Sequence, residues 1–179
     1  MVPHVSLPAR LLGAVLLASL AGCGPGRGEF APPCPRATLV GPLADLTRYR
    51  PGGRDLTDLV LQGSMVTVSG VCKPGDTASK LDVAVRIGAE IMRGPALQGQ
   101  ASEVQIFVAV VDNGTILDKK IYPVQVAFPP NVDRGTVVLD EVDMVLPVSP
   151  TKSGAAYAIE TGFQLTPDEL AANREQQAR

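Results

Sequence analysis

"SEVQIFVAVVDNGTILDKKIYPVQVAF", residues 102–128, is the most telling stretch of this chain. From Ile106 to Val111 every position is apolar, so both faces of an extended segment there need cover, as in a central strand. Asp112-Asn113-Gly114 then supplies a strong hairpin signal, because Asn and Gly accept the positive φ angles of a tight two-residue turn. The segment after it, 115–128, pairs antiparallel with the one before.

On either side the alternation continues. "KLDVAVRIGAEI" (80–91) places Leu81, Val83, Val85, Ile87, Ala89 and Ile91 on one face, which is the period of a half-buried strand. "LVLQGSMVTVSGVC" (59–72) is rich in β-branched residues and ends at the turn Lys73-Pro74-Gly75-Asp76. "TVVLDEVDMVLPV" (136–148) reads as a further strand. "AAYAIETGFQL" (155–165) puts Tyr157, Ile159, Thr161, Phe163 and Leu165 on one face. These make six strands, with "ATLV" (37–40) as a candidate seventh. Neither helical alternation nor a repeat interrupts the block, which argues against a parallel βαβ sheet. The expected fold is an immunoglobulin-like antiparallel β-sandwich of six or seven strands over residues 34–165, with a closed barrel as the alternative. The tryptophan and the cysteine spacing of antibody domains are missing, so the expectation concerns architecture alone.

Residues 166–179 change period. Thr166 suits an N-cap, Pro167 the first helical position, and Glu169 the reciprocal arm of a capping box, with Leu165 and Leu170 as a hydrophobic staple. A short C-terminal helix is expected, its first turn docked on the sandwich through Leu165, Leu170 and Ala171.

The other end carries an address. After His4 and Arg10, the uncharged apolar run Leu11 to Ala21 would cover about 17 Å as a helix, too short for a hydrocarbon core of about 30 Å. It has the form of a cleaved signal peptide, residues 1–22. Leu20-Ala21-Gly22-Cys23 resembles a bacterial lipobox, which implies diacylglycerol on Cys23 as the new N-terminus. One acyl chain holds a protein only marginally, whereas two or three anchor it stably. Gly24 stands where lipoproteins retained in the inner membrane commonly carry Asp, so the outer membrane, periplasmic face, is expected. Residues 23–33, including "GPGRGEFAPP", mix flexible Gly with stiff Pro and read as a tether of roughly 30 Å.

Removing residues 1–22 takes away His4, the one histidine of the chain. Serine and cysteine catalysis through histidine, histidine-based zinc sites and imidazole pH switching are excluded by inventory. It also leaves 15 Lys and Arg, one fewer than the 16 of the whole chain, against 18 Asp and Glu, a formal net charge of −3. Nucleic acid is therefore not an expected partner. With Cys23 lipidated, Cys34 and Cys72 remain as an even pair in an oxidising compartment, so a disulfide is expected.

Several clusters invite a chemical reading. Asp140, Glu141 and Asp143 concentrate carboxylates in one strand, but without the ligand spacing of a calcium loop they suit a solvent-facing or bulged edge strand. Ser149-Pro150-Thr151-Lys152 matches a Ser-x-x-Lys string, yet Pro150 and Gly154 describe a loop and the companion motifs of penicillin-recognising enzymes are absent. Arg48, Tyr49, Arg50 and Arg54, in "RYRPGGR", form the one local basic cluster and are candidate partner-binding residues. Asp45, Asp55 and Asp58 are nearby counter-ions. Two segments, "LTRYRPGGRDLTD" (46–58) and "GFQLTPDELAANR" (162–174), resemble stretches in small uncharacterised lipoproteins of alphaproteobacteria. The lipobox and the Cys34 and Cys72 pair fit as well. That resemblance implies no activity and no site residues.

The expected function is a lipid-anchored, non-catalytic binding or assembly module of the envelope, without cofactor or metal, held by the membrane through its lipid and meeting an envelope protein partner. The alternatives are a carboxylate-dependent envelope-glycan hydrolase, which needs two carboxyls facing across a cleft, and a structural envelope protein without a discrete ligand.

Overall fold

The computed structural model describes residues 33–177, so the signal peptide, Cys23 and nearly all of the tether lie outside the described residues. Eight strands form two four-stranded sheets, and one helix follows them: β1 (Arg36–Leu39), β2 (Asp45–Tyr49), β3 (Leu59–Pro74), β4 (Lys80–Arg93), β5 (Ala101–Asp112), β6 (Thr115–Ala127), β7 (Arg134–Pro147), β8 (Tyr157–Phe163) and α1 (Pro167–Gln177). The order is β1-β8-β5-β6 in one sheet and β2-β3-β4-β7 in the other. The chain crosses between sheets after β1, β4, β6 and β7, which makes the all-β sandwich expected from the alternation. The pairs β4 with β7 and β5 with β8 follow the Greek-key connectivity of immunoglobulin-type sandwiches.

The core lies between the sheets. Leu81, Val83, Val85, Ile87, Ala89 and Ile91 are all buried, as are Tyr157, Ile159, Thr161, Phe163 and Leu165. The polar groups on that face of β8 are satisfied: the Thr161 hydroxyl, fully buried, donates to the Phe107 carbonyl at 2.6 Å, and the Tyr157 hydroxyl to the Pro147 carbonyl at 2.7 Å. β5 is covered on both sides as its sequence predicts: Phe107, Ala109 and Val111 form a second, smaller cluster on the outer face, beneath Val40 and Leu43. The β5–β6 turn has Asn113 at φ 47° and Gly114 at φ 79°, both in the left-handed region that the Asn-Gly pair tolerates.

Two features differ from the sequence expectation. The strand count is eight, because Asp45–Tyr49, not among the expected strands, is β2; its Leu46, 1 % exposed, enters the core while the rest stays polar. β1 is the N-terminal strand expected at 37–40, but it runs parallel to β8, with Arg36 opposite Ala158 and Leu39 opposite Thr161. That sheet is therefore mixed. The acidic run is the bulged edge strand its sequence suggests: in β7 Asp140 and Glu141 face Arg86, with Glu141 at φ 52° and Asp140 paired to Arg86 at 2.5 Å.

The capping box forms as its spacing predicts: Thr166 N–H donates to Glu169 Oε2 at 2.8 Å and Glu169 N–H to Thr166 Oγ1 at 3.3 Å. Leu165 is buried and Leu170 packs on the core, whereas Ala171 is exposed. What fastens the second turn is Asn173, 3 % exposed, whose Nδ2 donates to the carbonyls of Pro42 (3.1 Å) and Asp45 (2.7 Å).

The sandwich has two distinct ends. At one lie Pro33 and Cys34, the β3–β4 turn, the β5–β6 turn and the 148–156 loop. This is the entry end, where the described chain begins; Gly154 packs so closely on Pro33 that a Cβ there would meet the Pro33 carbonyl oxygen at 2.3 Å. At the other, far end lie the loops 50–58, 94–100 and 128–133.

Candidate functional site

The arginine cluster divides between structural duties. Arg48 and Tyr49 sit in β2, at an irregularity in its register with β3, and both are half-buried. Arg48 Nε donates to Glu169 Oε1 at 2.8 Å and its Nη1 to the Glu103 carbonyl at 3.1 Å. Glu169 thus caps its own helix with one oxygen and ties it to β2 with the other.

Arg50 Nε donates to Asp58 Oδ1 at 2.6 Å across the loop. That loop begins as a turn in which Gly53 N–H reaches the Arg50 carbonyl at 2.9 Å, with Pro51 second and Gly52 third at φ 78°. The Arg50 guanidinium, hydrogen-bonded to Asp58, is the main reason its carboxyl stays below its ordinary value; the backbone N–H groups of Asp55 and Arg54 add to the effect, against desolvation. Of Asp45, Asp55 and Asp58, Asp58 alone pairs with an arginine of the cluster; Asp45 accepts from Ser64 at 2.7 Å. Arg54 is exposed, and among the described residues no carboxylate lies within ion-pairing distance of its guanidinium.

Ser149 to Lys152 form a turn rather than a helix, with Ser149 and Lys152 bridged through their backbones. Lys152 donates to Asp112 at 2.6 Å and rests 4.5 Å from the centre of the Tyr157 ring. The hydrogen bond to Asp112 raises the ammonium pKa, with Tyr157 adding to it, so the lysine is held charged. Such a group braces a loop; it does not activate Ser149.

Cys34 and Cys72, 38 positions apart, form a disulfide with their Cα atoms 5.7 Å apart, joining the start of β1's segment to β3 in the facing sheet. Beside it opens a cleft of about 340 Å³ between the sheets. Val68, Val83, Val85 and Ile159 form its floor, Ala37 and Gly70 leave it wide, and the disulfide marks one end. The cleft exists because β2 is short. β2 pairs with β3 only from Leu59 to Ser64, and Met65 is still held by its N–H to the Ala44 carbonyl at 2.8 Å. From Val66 to Val71 no described strand covers the outer edge of β3. β1 in the facing sheet likewise has β8 on one side and no described strand on the other. Arg36 lies between two lining residues, Pro35 and Ala37, and Lys73 follows Cys72; neither has a carboxylate within ion-pairing distance among the described residues. The sequence marks this edge weakly: "VTVSGV" reads as an ordinary strand, and only the shortness of β2 leaves it bare.

A second cleft of about 330 Å³ lies at the far end between Arg93, Phe128, Pro129, Pro130, Val132 and Asp133. The Arg93 guanidinium donates to the Leu97 carbonyl at 3.1 Å. The first cleft is lined by no carboxylate and the second by Asp133 alone, so neither presents the facing pair of carboxyls that glycan hydrolysis uses. Among the described residues no group of three or more His, Cys, Asp or Glu side chains stands close enough to hold a metal ion, and no helix is long and apolar enough to cross a membrane. Comparison with protein families, with curated proteins and with solved structures found no match.

Proposed function

We propose that this chain is a lipid-anchored binding module of the bacterial envelope, held at Cys23 on the periplasmic face of the outer membrane, and that it receives an extended segment of an envelope protein along the bare edge of β3. One observation carries the reading: the unpaired strand edge and a cleft floored by valine and isoleucine coincide, over Val68 to Val71. Strand addition needs both, since backbone hydrogen bonds supply affinity and pockets for alternate side chains supply specificity. The incoming strand places small or aliphatic residues over Val68, Val83 and Val85, and acidic residues toward Arg36 and Lys73. The sheet so completed covers the core side chains that the cleft leaves partly uncovered.

The arginine cluster is then secondary: with Arg48 and Arg50 committed to Glu169 and Asp58, Arg54 is the member with a guanidinium available to a partner. The test is a photo-activated crosslinker at Ser69 or Val71, compared with one at Val138 on the outer face of β7, in cells carrying the native membrane. The expected result is one discrete adduct from positions 69 and 71 and none from 138. Adducts of equal yield from all three positions would contradict the strand-addition reading.

A further inference from the structure

We propose a second interaction surface, facing the membrane itself: the exposed first half of β6, at the entry end, docks on an anionic phospholipid surface. The inference rests on the lipid-anchor reading. Residues 115–121 of β6 are exposed without a break, and they include Ile116 (58 %), Leu117 (53 %) and Ile121 (48 %). Nowhere else do the described residues gather three exposed large aliphatic side chains within six positions of one strand.

The geometry makes them one surface. Ile116 lies opposite Val111, and Ile121 opposite Phe107, on the outer face of their sheet; Leu117 is the extra residue of the bulge between Val110 and Val111. Lys119 shares that face and stands 4.7 Å from the centre of the Phe107 ring, so its stem covers apolar surface while its ammonium stays at the rim. Aliphatic residues with a lysine beside them on one face suit an interfacial site, with the aliphatic groups among acyl chains and the ammonium group at phosphate depth.

Two observations name the occupant. The chain leaves the described domain at Pro33, at the same end as the β5–β6 turn, so a tether of eleven residues from Cys23 delivers this end to the bilayer. The five lysines of the chain, Lys73, Lys80, Lys119, Lys120 and Lys152, all lie in the half of the sandwich at that end, and of these Lys73, Lys119 and Lys120 have no carboxylate within ion-pairing distance among the described residues. A second copy pairing along β6 is the competing occupant. Pro123, which has no N–H to offer, and the Lys119-Lys120 pair oppose it, as they do at edges protected against strand pairing. Docking need not be strong, because the lipid makes it intramolecular.

The chain contains no tryptophan, which gives a clean probe. Leu117→Trp and, as a control at the far end, Leu56→Trp are prepared in the full-length lipidated protein and incorporated into vesicles of phosphatidylcholine and phosphatidylglycerol with brominated acyl chains. The expected result is emission at position 117 quenched about twofold or more, with a blue shift, while position 56 is unquenched and both proteins float with the vesicles. Replacing phosphatidylglycerol by phosphatidylcholine is expected to weaken the quenching. Quenching at 117 no greater than at 56, with both proteins floating, overturns the inference. So does a blue shift at 117 that grows with protein concentration without bromine quenching, which would assign the face to self-association. Failure of both proteins to float removes the anchor and this surface with it, and flotation separates that outcome from a failure of docking alone.

Discussion

Cys72→Ala is expected to lower the unfolding free energy by about 4 kcal/mol, because the bridge closes a loop whose entropy the unfolded chain otherwise regains. The two cysteines lie 38 positions apart. For a domain of this size the corresponding fall in melting temperature is about 10 °C. The loss is also local. β1 is four residues long and pairs with β8 alone, so the covalent link to β3 is its principal restraint on the side of the cleft. Freed, it would expose the Ile159 and Val83 floor, and amide exchange in residues 36–39 should rise well before the rest of the domain unfolds. Urea titration of oxidised wild type against the variant measures the first effect. A difference below about 1 kcal/mol would mean that the loop is already restricted in the unfolded chain and that the bridge is not what holds β1.

Phe163→Ala is expected to cost about 3–5 kcal/mol, the range for removing a buried aromatic ring from a core that closes only partly around the gap. The ring is 1 % exposed and reaches from β8 across to β3, where it lies against the backbone of Gly63. A Cβ at Gly63 would stand 3.1 Å from Phe163 Cζ and 2.8 Å from Ile91 Cδ1, so the glycine is there to let the two sheets close over the ring. Gly63→Ala alone therefore costs about 1–3 kcal/mol by overpacking. Combined with Phe163→Ala the new methyl meets vacated space, so the double variant should lose about 1 kcal/mol less than the two single losses together. Additive losses would show that Gly63 and Phe163 do not constrain each other. The pair also bears on function, since it sets the sheet separation at the covered, β2 end of the cleft-bearing side.

Much of the fold was legible because burial imposes period two on a strand. Leu81 to Ile91 and Tyr157 to Leu165 declare a buried face by alternation, and the doubly apolar run Ile106 to Val111 declares a central strand. The DNG turn and the capping box were legible because their backbone geometries admit few residues. β2 was not, since a five-residue strand with one core residue, Leu46, has no pattern to display; its partner and its polarity come from tertiary contact. Nor was the parallel course of β1, which depends on where the chain enters the domain. Asn173 was missed for a related reason: amid the polar run of α1 nothing separates it from its neighbours, and only the carbonyls of Pro42 and Asp45, some 130 positions earlier, make it a buried donor. The arginine cluster shows the converse. Its charge density was plain, but Glu169, the partner that binds Arg48, lies 121 positions away. The bare edge of β3 follows from the length of β2, so it became visible only with the fold.

If the edge of β3 is filled in the cell, hydrogen exchange of the amides between Val66 and Val71 reads it without intermediaries. In an antiparallel strand every second N–H points toward its one neighbour, β4 in this sheet, and is already protected; the others face outward. For the purified protein the outward amides should exchange rapidly, and for the protein in its native membrane they should exchange more slowly by about tenfold or more, the mark of a strand bound beside β3. Equal exchange at these amides in the membrane and in purified protein would mean that the edge stays bare and that no strand is received there.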